Sequence, residues 1–225
     1  NTLEEFYQEH TAQLVCIVSP VYVHMEQIRT ALAHGSHVLC EKPLTVFAED
    51  VAKLEEEAKK AGLLLGVGFQ WSFSRRVRAL KQDILLGNRM DTARMPNKIK
   101  ASLYRAKDIS TFDTCSVKCI FEDDVTHSLY LTHSADRDRY LTIEMTFENA
   151  VATILMDYGE TDGHLRVTFE DGSMVDYDSV GERDVTVEKL SDMMEACRHP
   201  EKGIPCHAAT TLPFSNVCNS LFAEV

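Results

Sequence analysis

The sequence predicts a partial doubly wound parallel sheet over residues 1–70, then an α+β domain over residues 71–225 with a mostly antiparallel sheet and flanking helices. Two patterns and the composition carry this. Between residues 14 and 69, short apolar runs alternate with helical stretches, an order that forces parallel pairing through right-handed crossovers. Beyond residue 140, runs of alternating polarity are broken by turn residues, as in an antiparallel meander. With 44% hydrophobic and 26% charged residues in 225, the chain has a globular composition and the length for a sizeable core.

Each element has its own signal. Leu14–Val18 is apolar and β-branched and stops at Ser19-Pro20, which reads as a buried strand and a turn. Val23–His34 has helical spacing, with Gly35 as its stop. His37–Cys40 is a second strand, closed by Glu41-Lys42-Pro43. Thr45 is placed to cap a helix over Glu49–Lys60 that ends at Gly62. Leu63–Phe69 is a third buried strand. Further on, Ser74–Leu86 is predicted as an amphipathic helix, Lys98–Arg105 as a strand and Asp123–Leu131 as a helix, while Lys107–Cys119 has no clear period. Strands are expected over Tyr140–Phe147, Val151–Tyr158, His164–Phe169 and Met174–Tyr177. Turns fall at Glu148-Asn149 and Asp171-Gly172, and the last helices cover Val185–Arg198 and Ala208–Phe222.

Charge and motifs exclude several functions. A net charge of -12 argues against nucleic-acid backbones and anionic membrane surfaces. No apolar run reaches the length of a membrane span, and no secretory signal pattern is visible. The seven cysteines are scattered and odd in number, which reads as reduced thiols in a cytoplasmic protein. The pairs Cys115/Cys119 and Cys197/Cys206, with His199 and His207 nearby, lack zinc-site spacing, so no metal is expected. Arg75, Arg76 and Arg78 read as a solvated helix face.

An open α/β sheet binds ligands beyond the carboxyl ends of its strands. Ser19-Pro20, Glu41-Lys42-Pro43 and Phe69-Gln70 each follow a predicted strand and should line one rim. Val18-Ser-Pro with His24, the run Gly35-Ser-His-Val-Leu-Cys-Glu-Lys-Pro-Leu44, Gly66-Val-Gly-Phe-Gln70, Asp123-Asp-Val-Thr-His127 and Pro205-Cys-His-Ala-Ala-Thr together resemble the Gfo/Idh/MocA oxidoreductases. The resemblance runs along nearly the whole chain, and Glu-Lys-Pro entered from a strand is its most specific part.

The resemblance implies a Rossmann domain, a cofactor (NAD or NADP) and hydride transfer to or from a sugar- or polyol-like small-molecule substrate. It makes Lys42, Asp123 and His127 the catalytic set. It makes Ser19, Pro20, His24, Glu41, Lys42, Pro43 and Gln70 the cofactor-side residues, and it implies a cis Lys42-Pro43 bond. On a helix, Asp123 and His127 would share a face, with Asp124 competing for the acidic role. It also implies a homo-oligomer assembled through the antiparallel sheet.

The chain departs from the family in places. Gly-x-Gly-x-x-Gly and its helix are not found, and Gly66-Val-Gly68 lies inside a strand, so an upstream segment of roughly 70 to 100 residues is expected in a complete member. Val125 and Tyr130 replace residues usual in the second-domain helix. A non-catalytic relative that senses a cofactor or serves assembly is the competing function.

Overall fold

The computed structural model describes residues 2–82, 94–122, 125–136, 141–156, 164–178, 180–181 and 184–223. The chain divides into two compact units. One comprises Asn1–Phe69, Thr92–Ser134 and Lys189–Val225; the other comprises Gln70–Asp91 and Ala135–Glu188.

The first unit opens with a helix the sequence reading did not anticipate, α1 (Leu3–Glu9). A capping box starts it: the Thr2 hydroxyl accepts the Glu5 N–H, and the Glu5 carboxylate accepts the Thr2 N–H. Then β1 (Leu14–Ile17), α2 (Val21–Ala33), β2 (His37–Cys40), α3 (Ala48–Ala61) and β3 (Leu65–Val67) follow. The sheet is parallel in the order β1-β2-β3, with Cys16 beside Leu39 and Leu39 beside Gly66. Strand-end apolar residues decide this packing. Val38, Cys40 and Val67 are fully buried, as are Ile28 of α2 and Val51 and Leu54 of α3. Each such aliphatic side chain contributes about 1.5–3 kcal/mol of burial.

Helix α3 ends where Gly62 takes a left-handed φ of 67°, a conformation without penalty only for glycine. Its start differs from expectation. Phe47, not Thr45, is the cap position, and the Thr45 hydroxyl donates to the Phe47 carbonyl. The cap itself comes from far along the chain. Asn219, in α6 (Ala208–Phe222), accepts the Ala48 N–H at 2.7 Å and donates to the Val46 carbonyl at 3.0 Å.

The second edge of the parallel sheet is also closed from a distance. The Val67 N–H donates to the Cys206 carbonyl, and Gly66 forms an antiparallel bridge with His207. The face bearing Gly66 is met by Met193 of α5 (Val185–Arg198): a Cβ on Gly66 would lie 3.1 Å from its sulfur. A glycine is therefore required there by close packing.

The same unit holds an antiparallel sheet, β4 (Lys98–Tyr104), β5 (Thr114–Ile120) and β6 (Thr126–Thr132), in that order. Two corrections arise here. The stretch without a clear period contains β5, and β6 takes the place of the helix predicted over Asp123–Leu131 from Thr126 onward. The register pairs Cys119 with His127, Val117 with Leu129 and Cys115 with Leu131. One face of the sheet is thus apolar, and it packs against Leu221 and Val217 of α6. The other face of β6 presents Thr126, Ser128, Tyr130 and Thr132.

In the second unit, α4 (Arg75–Gln82) packs on a sheet in the order β10-β9-β8-β7, formed by β7 (Leu141–Thr146), β8 (Ala150–Met156), β9 (His164–Phe169) and β10 (Met174–Asp176). Its core joins Leu80, Ala152, Ile154, Leu165 and Val167. Asp171-Gly172 makes the predicted turn, with Gly172 at φ 82° and the Asp171 carboxylate accepting the Ser173 N–H and hydroxyl. The arginines on α4 are not a solvated face. Arg76 is buried and pairs with Asp178 at 3.1 Å, while Arg75 and Arg78 meet the buried Glu188 at 2.6 and 3.5 Å.

Candidate active site

Three turns follow the carboxyl ends of the parallel strands, and two of them are tied together. Ser19 and Pro20 link β1 to α2, and Glu41, Lys42 and Pro43 follow β2. The tie is His24, in the first turns of α2 and only 1% exposed. Its Nε2 lies 2.7 Å from the Ser19 carbonyl oxygen. Its Nδ1 lies 3.1 Å from the Pro43 oxygen and 3.3 Å from the Leu44 oxygen. A buried imidazole with both nitrogens against backbone carbonyls has no polar edge left for a cofactor. His24 thus joins the two loops from inside.

Ser19 and Pro20 lie on the rim. The Ser19 hydroxyl donates to Gln27 Oε1 at 2.6 Å. Pro20 is the N-cap of α2 and has no side-chain cap, so the first N–H groups of this 13-residue helix take no bond from a capping side chain. Tyr22 and Val18 stand on the same rim, 80% and 77% exposed.

The Lys42-Pro43 peptide bond is cis, as the resemblance implies. Lys42 is exposed, and among the described residues no side-chain hydrogen bond or ion pair occupies its ammonium. Its backbone N–H donates to Glu41 Oε2 at 3.3 Å. The other carboxylate oxygen of Glu41 accepts a hydrogen bond from the Nζ of Lys189, a nearly fully buried residue of α5. Gly68 flanks the same carboxylate, and a Cβ at that position would lie 2.9 Å from Glu41 Oε1. Both Glu41 carboxylate oxygens thus have partners within the protein. Burial, with the negative charge of Glu41 next to it, pushes the Cys40 thiol up to about 12, so this cysteine is an inert packing group.

Of the remaining predicted residues, the structure describes His127 and Gln70. Asp123 and its competitor Asp124 lie outside the described residues. His127 is an exposed residue of β6, and no hydrogen bond or ion pair joins it to Lys42. Gln70 opens a short 3₁₀ turn over Gln70–Ser72 and begins the second unit. The sequence reading missed Lys189. Its signal was a lysine in register with Met193 and Ala196, two residues 1% exposed at helical spacing.

Residues 1–69 match the family described as "Oxidoreductase family, NAD-binding Rossmann fold", Gfo/Idh/MocA. Over this segment the chain is similar to the Gfo/Idh/MocA oxidoreductases. The 1,5-anhydro-D-fructose reductase of Ensifer adhaerens is 27% identical over 156 residues, which span 60% of this chain and 45% of that protein. The myo-inositol 2-dehydrogenase of Thermotoga maritima is 32% identical over 80 residues, 36% of this chain and 24% of that one. The chain therefore spans less than half the length of either Gfo/Idh/MocA relative. Among solved structures, the UDP-N-acetylglucosamine 3-dehydrogenase of Acidithiobacillus ferrooxidans superposes with a TM-score of 0.84 at 15% identity, over 100% of this chain and 81% of its own. An oxidoreductase from Agrobacterium radiobacter, in complex with NAD+, L-tartaric acid and magnesium, superposes with a TM-score of 0.71 at 13% identity, over 99% of this chain and 80% of that one. At these identities the superpositions establish the shared fold: a Rossmann-like parallel sheet followed by antiparallel sheets with helices. Among the described residues, no helix is long and apolar enough to cross a membrane.

Proposed function

We propose that the protein to which this chain belongs is an NAD(P)-dependent oxidoreductase, moving a hydride between the nicotinamide and a hydroxyl-bearing carbon of a sugar or polyol. One observation carries the reading: Lys42 offers an exposed, unengaged ammonium at the carboxyl end of a parallel strand, on a turn whose other groups are all tied down. The Gfo/Idh/MocA match of the segment that holds Lys42, and the names of the relatives, support it.

The donors on this rim suit a dinucleotide. The first N–H groups of α2, uncapped by any side chain, favour a phosphate oxygen near Ser19 and Pro20. Tyr22 and Val18 give apolar surface for a ring or ribose face. When bound, NAD(P) supplies the hydride acceptor or donor. Lys42 does the proton work: its neutral amine takes the hydroxyl proton at Nζ as the carbon gives up its hydride, and its ammonium returns that proton in the reverse direction. His24 and Pro43 hold the turn so that the Lys42 side chain faces outward. His127 and Asp123 stay in the reading as residues to be tested, because His127 lies on a strand and Asp123 outside the described residues.

The test is turnover in both directions: oxidation of myo-inositol with NAD+ or NADP+, and reduction of 1,5-anhydro-D-fructose with NADH or NADPH. Lys42→Ala should lower it by about 10² or more. Turnover within a few-fold of wild type would refute the assignment, and cofactor binding without turnover would favour a sensing role. Assembly belongs to the same reading. Tyr130 is exposed on the outer face of β6 with Thr126, Ser128 and Thr132, a surface fit for pairing with a second copy, and light scattering that shows a monomer would end that part.

A further inference from the structure

We propose that Lys189 is a positioning residue for Lys42, acting through the Glu41 carboxylate; this deepens the function proposed above and rests on it. Lys189 is 4% exposed and lies on the stripe of α5 that continues through Met193 and Ala196, each 1% exposed. A stripe of this kind calls for an apolar side chain. Burying an ammonium costs several kcal/mol, and a buried ion pair is commonly no more stabilising than an apolar pair of equal volume. Fold stability alone therefore gives no reason for a lysine here.

Its contact supplies the reason. Lys189 Nζ donates to Glu41 Oε1, the opposite oxygen accepts the Lys42 N–H at 3.3 Å, and Gly68 leaves the space the carboxylate fills. Glu41 is thus drawn inward and fixed at both oxygens, and one of those bonds ends on the backbone of Lys42. From the other side, His24 holds the carbonyls of Pro43 and Leu44. The turn is gripped before and after Lys42, while the Lys42 ammonium is left free to work. Without Lys189, the Glu41 carboxylate, which is 35% exposed, would turn to water and release the Lys42 N–H.

The experiment is hydrogen exchange on the 225-residue chain, read at the Lys42 and Leu44 amides and, as a control, at Leu54–Ala58 in the interior of α3. Lys189→Met should raise exchange at Lys42 by about tenfold or more, with the α3 amides changed less than about twofold. Gly68→Ala is the second variant, since it displaces the carboxylate without removing a charge and should give the same local rise even if Lys189→Met does not fold. Adding Glu41→Gln to Lys189→Met should restore part of the protection, because no uncompensated charge is left to seek water. Unchanged exchange at Lys42 in both single variants overturns the proposal, as does a rise spread equally over α3. In turnover, Lys189→Met should lower kcat more than it changes KM for NAD(P)H. The two readings fail separately. An inert Lys42→Ala removes the catalytic role and leaves the exchange result standing, while unaltered exchange removes the brace and leaves Lys42 in its role.

Discussion

The parallel sheet β1–β3 and the antiparallel sheet β4–β6 belong to one unit, yet they relate to their sequences in opposite ways. Every residue of β3 is buried, as are Val38, Leu39 and Cys40 of β2. Every residue of β6 is exposed. A strand covered on both faces must be apolar throughout, so the sequence announces it as a run. An outer strand mixes Thr, Ser, His, Leu and Tyr, and spacing alone lets Asp123–Leu131 pass for a helix. What separates the two regions is how much of each strand's surface the fold covers, and local propensity follows from that.

Stability measurements sharpen this contrast, beginning with the largest effect. Leu54→Ala, in the fully buried face of α3, should cost about 2–5 kcal/mol by denaturant unfolding, with the loss in the first unit. A cost under about 1 kcal/mol would mean the parallel layer is loosely packed.

Asp178→Asn comes next, in the second unit, at about 3 kcal/mol, because it removes the charge that the buried Arg76 pairs with at 3.1 Å. Its pH dependence has a definite sign. Burial raises the Asp178 carboxyl, but hydrogen bonds from His164 at 2.6 Å, the Leu165 N–H at 3.0 Å and Arg76 at 3.1 Å outweigh it and hold the group below the usual carboxylate range. A depressed carboxyl stabilises fully above its unfolded value, about 4, and that contribution disappears as pH falls through the lower folded value. Melting of the wild type between pH 6 and 3 should fall more steeply than that of Asp178→Asn; parallel curves would disprove the linkage.

Asn219→Ala should cost about 1 kcal/mol, the usual value of a lost N-cap, and it should loosen the first turn of α3 in hydrogen exchange. Least of all, Tyr130→Thr on the outer face of β6 should stay within about 0.5 kcal/mol. A large loss there would show that β6 is covered in solution by a second copy, and it would undo the contrast from which the series begins.

Much of the fold was legible. The strand–helix–strand–helix–strand order, the Gly62 stop, the hairpin at Asp171-Gly172 and both final helices follow from periodicity and turn chemistry that act within a few residues. The β6 error was avoidable in part: His127, Leu129 and Leu131 alternate with Thr126, Ser128, Tyr130 and Thr132, a period of two that the acidic start of the segment obscured. At the site, Lys42 and its cis proline could be read, because a motif at a strand end carries its own context. The engagement of His24 and Glu41 could not, since their partners are backbone oxygens and a lysine 148 residues away.

The sequence by itself determined which segments are strand and helix in the parallel layer, and that a lysine stands at the end of β2, because these depend on local pattern. Only the tertiary structure decided that α5 and α6 return to close that layer, that Asn219 caps α3, and that Lys189 reaches Glu41. Such pairings form because a buried polar group must find a partner wherever the chain brings one, and no local periodicity encodes that meeting.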